Sequence, residues 1–212
     1  MTAKRVVIWR HGQTPYNLHG RIQGASDVAL DQTGLDQAAQ AARRLVLEEP
    51  AALWSSDLVR AYATATALAE LTGLEVVTDR RLREREFGSW EGLAVADIQR
   101  RWPDRYERWQ AGEDLPEIGM ETRDQAAKRM TECVREAAAG VADGETLVVT
   151  SHGGVSVCGL TGLLELDPAN WLGLKVMRNA HWAVLEGSGR RYPAWRLAGY
   201  DLGEGGQAGL SV

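Results

Sequence analysis

The chain carries only two cysteines, a single phenylalanine and no apolar run long enough to span a bilayer. A transmembrane helix needs about 20 consecutive apolar residues, so a helical membrane protein is not expected. The N-terminus also lacks the charged-then-apolar pattern of a secretory signal. Cys133 and Cys158 match no metal-ligand spacing and fall in helical-looking segments. They are expected as buried thiols of a cytoplasmic protein, not as a disulfide framework. Positive charge is in deficit as well: 24 Lys and Arg against 29 Asp and Glu leave a net charge of −5. That argues against general nucleic-acid binding, which needs a basic surface. It leaves an anionic small molecule open as partner, because a pocket can be cationic inside an acidic protein.

What is present is ordinary for a globular domain: 212 residues, 44% hydrophobic and 25% charged, enough for one core. Short apolar runs alternate with helical spacing. Strands are expected near residues 4–9, 51–54, 74–77 and 146–150, and helices near 33–48, 57–71, 93–101, 105–109, 122–139 and 155–164. Asp57 is the expected cap of the second helix, and Gly73 its end. Residues 182–185 and 194–197 flank Gly187-Ser188-Gly189 and read as a β-hairpin. This alternation predicts a three-layer α/β/α domain over residues 1–212, with a mostly parallel central sheet. Only the glycine-rich tail from about residue 203 reads as frayed. Eight tryptophans stand against the lone phenylalanine; Trp54, Trp90, Trp171 and Trp182 lie in apolar runs and are expected in the core.

The chemistry concentrates at two strand ends. Val6-Val7-Ile8-Trp9 runs into Arg10-His11-Gly12, and Leu147-Val148-Val149-Thr150 runs into Ser151-His152-Gly153-Gly154. Ligands of open α/β sheets bind outside the carboxyl ends of the strands. Two histidines delivered there can face one another across a pocket, one as nucleophile and one as clamp on the group transferred, with imidazoles about 5–7 Å apart. Gly12 is expected to open the backbone to a ligand.

Those triplets belong to a longer set: Arg10-His11-Gly12-Gln13-Thr14, Asn17, Arg21, Gln23-Gly24, Ser55-Ser56-Asp57-Leu58 with Arg60, Leu82-Arg83-Glu84 with Gly88 and Trp90-Glu91-Gly92, and Ser151-His152-Gly153-Gly154. Together they resemble the histidine phosphatase superfamily, the relatives of cofactor-dependent phosphoglycerate mutase. The resemblance implies a phosphoglycerate mutase-like fold and a phosphohistidine on His11. It implies Arg10, Arg60, Arg21 and Asn17 around the phosphate, with Gln23, Gly24 and Gly153 beside it, and His152 as a further donor. Glu84 takes the place of general acid and base, with Glu86 and Glu91 as competitors by type. Segment 93–122 corresponds to a lid, on which Trp102 and Trp109 either close over substrate or simply pack. His19 is expected as a bystander and His181 as a structural histidine.

No histidine–carboxylate set has metal-ligand spacing, so neither metal nor cofactor is expected. Three functions compete: a phosphomonoesterase acting on a small phosphorylated metabolite, a mutase, and a non-catalytic phospho-ligand binding module. The full catalytic set disfavours the last. The compact stretch from Gly92 to Thr122, and Gly154 where mutases typically have asparagine, disfavour the mutase. The tail motifs around Asp167–Trp171, Arg178–Trp182 and Trp195–Leu197 resemble the family's branch of glucosyl-3-phosphoglycerate phosphatases. They imply a phosphoglycerate or sugar-phosphate substrate. Assembly as a homodimer is left open.

Overall fold

In the computed structural model, residues 3–189 and 192–204 are described. In chain order they form β1 (Arg5–Arg10), α1 (Pro15–Leu18), α2 (Gln32–Leu45), β2 (Pro50–Ser55), α3 (Val59–Thr72), β3 (Val76–Thr78), α4 (Val95–Arg101), α5 (Pro103–Gln110), α6 (Arg123–Ala139), β4 (Thr146–Ser151), α7 (Gly153–Leu163), β5 (Trp182–Gly187) and β6 (Trp195–Leu202). Six strands make one sheet in the order β3-β2-β4-β1-β5-β6. The first four are parallel, and the β5–β6 hairpin closes the edge antiparallel to β1. The expected mixed, mostly parallel α/β fold is observed.

Both central strands are buried on both faces, which is why they read as continuous apolar runs. On β1, Val6 and Ile8 pack with Leu147, Val149, Met130 and Leu160 on the face covered by α6 and α7. Val7 and Trp9 point the other way, onto Ala42, Leu45 and Leu68 of α2 and α3. A third cluster packs Ile98, Leu115 and Met120 of segment 93–122 with Trp90 and Ile22 from outside it. Trp90 and Trp182 are buried as expected, and Trp54 is half-buried against the core. Trp171 is not a core residue: it is half-exposed on the wall of a cavity.

Register fixes the site. Arg10 pairs with Ser151 across the parallel β1–β4 ladder, so His11 and His152 leave the sheet side by side. The His11 N–H still donates to the Ser151 carbonyl at 3.0 Å. Gly12 has a different purpose from the one expected. A Cβ there would lie 2.3 Å from the carbonyl oxygen of Gly34, in the first turn of α2. The glycine admits a helix, not a ligand. Backbone cannot withdraw as a side chain can, so Gly12→Ala is expected to cost about 1–3 kcal/mol. A melting temperature lower by roughly 5 °C checks this; an unchanged value contradicts it.

Asp57 does not cap α3. Leu58 occupies the cap position without a side-chain hydrogen bond, and the Asp57 carboxylate instead forms a two-point pair with Arg83, both contacts at 2.7 Å. Gly73 ends the helix in the left-handed conformation as expected, at φ 72°. Of the tail expected to fray, 205–212 lies outside the described residues, while β6 extends to Leu202.

Candidate active site

A cavity of 190 Å³ opens at the carboxyl end of β1 and β4. Arg10, His11, Asn17, Arg21, Gln23, Gly24, Arg60, Glu84 and Gly153 all line it. They arrive from two strand ends, the α1 loop, the start of α3 and the loop after β3, segments far apart in sequence.

The His11 ring is 2% exposed, and its Nδ1 lies 2.7 Å from the Gly12 carbonyl. A carbonyl only accepts, so Nδ1 carries the hydrogen and Nε2 keeps its lone pair. Burial, reinforced by the guanidiniums of Arg60 and Arg10, pushes the His11 pKa well below the usual imidazole value. The ring is therefore neutral and nucleophilic at neutral pH.

The His152 ring stands edge-on to His11, with centroids 5.1 Å apart, within the expected range. Burial and Arg60 likewise push its pKa well below the usual value. Both ring nitrogens are engaged: Nδ1 accepts from Arg60 Nε at 3.1 Å, and Nε2 meets Ser56 Oγ at 2.8 Å. Among the described residues His152 thus orients Arg60 and is not a protonated donor on the cavity wall. These two histidines give stability a pH dependence. Each binds a proton in the unfolded chain below about pH 6.5 but not in the folded one, so stability is complete above that pH and falls as pH drops through it. The slope per histidine is at most about 1.4 kcal/mol per pH unit. Denaturant titrations at pH 5 and 7.5 are expected to show this loss in the wild type and less of it in His152→Asn.

Arg60 is fully buried, and burial lowers its pKa to about 10. Besides His152 it donates to the carbonyls of Ser26 at 2.6 Å and Gly24 at 3.0 Å. Three of its five N–H groups are thus committed, and two remain for a ligand. Arg10 donates to the Met177 carbonyl, and its buried Nε has no partner among the described residues. Arg21 is exposed and reaches the Gly92 carbonyl at 2.8 Å. Asn17 Oδ1 accepts from Thr14, completing the capping box of α1, and Gln23 Oε1 lies 3.1 Å from Thr14 Oγ1. The amide NH₂ ends of Asn17 and Gln23 are left for the cavity.

Glu84 is braced at the N-terminus of α7. Its carboxylate accepts from Gly154 N at 3.0 Å, Val155 N at 2.7 Å and Arg85 N at 2.9 Å. A Cβ on Gly154 would sit 2.9 Å from Glu84 Oε1, so this glycine makes room for the carboxylate. Glu86 is exposed, and Glu91 accepts from Phe87 N; neither lines this cavity. Of the two tryptophans of segment 93–122, Trp109 is on the wall, and both it and Trp102 pack against the third apolar cluster. His19 is exposed outside the site; His181 is buried with Nδ1 on the Asn179 carbonyl at 2.9 Å.

Two supporting residues were not picked out from sequence. Arg129 of α6 donates to the carbonyls of Arg81, Arg83 and Glu84 and so holds the loop that carries Glu84. Asn179 Nδ2 lies 3.1 Å from the His11 carbonyl, 3.2 Å from that of Gly12 and 3.1 Å from Asn17 Oδ1. The Gly12 carbonyl is the one that fixes the His11 ring, so Asn179 braces the orientation of that ring. Asn179→Ala is expected to lower kcat on the order of 10- to 100-fold, as a small misplacement does, with KM moving much less. Equal kcat would show the brace to be dispensable.

A family model described as the histidine phosphatase superfamily, branch 1, matches residues 6–198. The chain belongs to the histidine phosphatase superfamily. It is 41% identical over 194 residues to a glucosyl-3-phosphoglycerate phosphatase of Mycobacterium tuberculosis, covering 88% of this chain and 87% of that protein. It is 39% identical over 154 residues to a metal-independent phosphoserine phosphatase of Arabidopsis thaliana, covering 71% and 64%. The solved mycobacterial glucosyl-3-phosphoglycerate phosphatase in complex with VO3 superposes with a TM-score of 0.85 at 39% identity, covering 93% and 98%. This histidine phosphatase is a phosphoric monoester hydrolase.

Proposed function

We propose that this chain is a metal-independent phosphomonoesterase that works through a phosphohistidine on His11. Its substrate is a small phosphorylated metabolite, a phosphoglycerate or a sugar conjugate of one such as glucosyl-3-phosphoglycerate. The observation that carries the reading is the neutral His11 ring, with Nε2 unprotonated, sharing one cavity with Arg10, Arg21, Arg60 and Glu84. Nε2 attacks phosphorus, the P–O ester bond breaks, and Glu84 delivers a proton to the departing alkoxide. Water then attacks phosphorus and gives a proton to Glu84, while the P–Nε2 bond breaks, freeing phosphate and returning the electron pair to His11. The arginines, with Asn17 and Gln23, hold the equatorial oxygens, on which charge must be stabilised throughout. His152 holds Arg60 in place for that task. Both cysteines are buried, and burial raises their thiol pKa values to about 12 for Cys133 and about 11 for Cys158. Such inert thiols suit a reducing cytoplasm.

The test offers 3-phosphoglycerate with a catalytic trace of 2,3-bisphosphoglycerate, after exhaustive EDTA treatment. Inorganic phosphate is expected to appear faster than 2-phosphoglycerate. Faster isomerisation makes the protein a mutase, and activity lost to EDTA but restored by magnesium makes it a metal-assisted hydrolase.

A further inference from the structure

Ser56 lies between β2 and α3 and does not line the catalytic cavity; it is fully buried, as are His152 and Arg60. Its N–H donates to the Thr150 carbonyl at 2.9 Å, which seats it against the end of β4. Its Oγ accepts from Leu58 N at 3.3 Å and lies 2.8 Å from His152 Nε2. Ser56, His152 and Arg60 thus form one hydrogen-bonded chain that reaches the cavity wall only at Arg60.

The donors and acceptors along this chain admit one arrangement of hydrogens. A guanidinium only donates, so His152 Nδ1 presents a lone pair to Arg60 Nε at 3.1 Å. A neutral imidazole carries one N–H, which then belongs to Nε2 and points at Ser56 Oγ. His11, whose Nδ1 bears the hydrogen, is the opposite tautomer, its ring centroid 5.1 Å away. With its hydrogen on Nδ1 instead, His152 would set an N–H against the Nε–H of Arg60, donor against donor. Arg60 would then have to turn, and its two uncommitted N–H groups would leave the position from which they meet a phosphoryl oxygen. Ser56 supplies the acceptor that the productive tautomer needs. Without that oxygen the Nε2–H is an unmet buried donor, and the preference for this tautomer falls.

We propose that Ser56 is a positioning residue: by accepting the Nε2 hydrogen of His152, it fixes the tautomer that orients Arg60 toward the transferred phosphoryl group. It touches no reacting atom itself. The inference rests on the phosphatase reading and gives the β2–α3 connection a part in that site's geometry.

Two readouts test it. With p-nitrophenyl phosphate, Ser56→Ala is expected to lower kcat about tenfold or more, with KM moving much less. Ser56→Cys, whose sulfur is a weak acceptor, is expected to change kcat in the same direction and covers the case in which Ser56→Ala does not fold. Long-range ¹H–¹⁵N spectra of the imidazoles, with His152 assigned by its absence in His152→Asn, read the tautomer directly. Hydrogen on Nε2 is expected in the wild type, and a shift toward Nδ1 in the Ser56 variants. Hydrogen on Nδ1 in an active wild type overturns the proposal. So does a kcat close to that of the wild type in the variants, or a loss of kcat with the tautomer unchanged, which is what a merely structural role would give. A wild type that cleaves no phosphate ester overturns the phosphatase reading instead, since the spectra report the tautomer whether or not the protein turns over.

Discussion

His11→Ala is expected to abolish phosphate release, with turnover falling on the order of 10⁴-fold or more, as when a covalent nucleophile is removed. The expectation rests on geometry. His11 sits at the end of β1, its Nδ1 tied to the Gly12 carbonyl and its ring held neutral by burial beside two guanidiniums. In the substituted protein the arginines and Glu84 remain, so ligand binding is expected to survive while chemistry stops. The fold is expected to persist, because the ring faces a cavity wall and the strand below it is held by the apolar packing of Val6, Val7, Ile8 and Trp9. Far-ultraviolet circular dichroism and phosphate binding are the controls. A folded variant that retains a tenth of wild-type turnover contradicts the phosphohistidine route.

The second large effect is expected at Glu84. Glu84→Gln keeps the shape of the side chain and removes the acid–base function proposed for it, which is commonly worth 10²–10⁴ in rate. The loss is expected to depend on the leaving group. An alkyl phosphate departs as a strongly basic alkoxide that needs the proton, whereas a nitrophenolate departs without help. With an alkyl substrate kcat is therefore expected to drop by about 10²-fold or more. With p-nitrophenyl phosphate the first step is expected to proceed and the phosphoenzyme to accumulate, because water attack still lacks its base. A burst of nitrophenol followed by a slow steady state is the readout. Glu86→Gln is the matched control, since Glu86 is exposed outside the cavity. A burst in Glu86→Gln and none in Glu84→Gln would reverse the assignment.

The central strands were legible in the sequence because both are covered on two faces. In an alternating α/β chain, short continuous apolar runs such as 6–9 and 147–150 mark strands with no solvent-facing side. The histidines follow those runs directly, so their shared position at one sheet end was legible too. What the sequence withheld is set by contacts between distant segments. Asn179 reaches the Gly12 carbonyl because β5 inserts antiparallel beside β1, a pairing that spans more than 160 residues. The Gly12–Gly34 approach depends on where α2 packs, which composition does not encode. Asp57 had the sequence context of a helix cap, and the pairing with Arg83, from 26 residues downstream, took it instead. The family resemblance marked Arg60 and His152 as phosphate ligands. Their mutual hydrogen bond, and the commitment of Arg60 to two loop carbonyls, emerge only once α3 and β4 are side by side.

The most direct measurement of the central claim is the site of the phosphoryl group during turnover. Glu84→Gln enzyme mixed with ³²P-labelled substrate is quenched in alkali, digested, and its peptides are mapped for label. Label stable to base and labile to acid, confined to the peptide that contains His11 and absent from a His11→Ala, Glu84→Gln double variant, is the predicted result. Label on the His152 peptide, or none in a variant that still releases phosphate, would contradict the account.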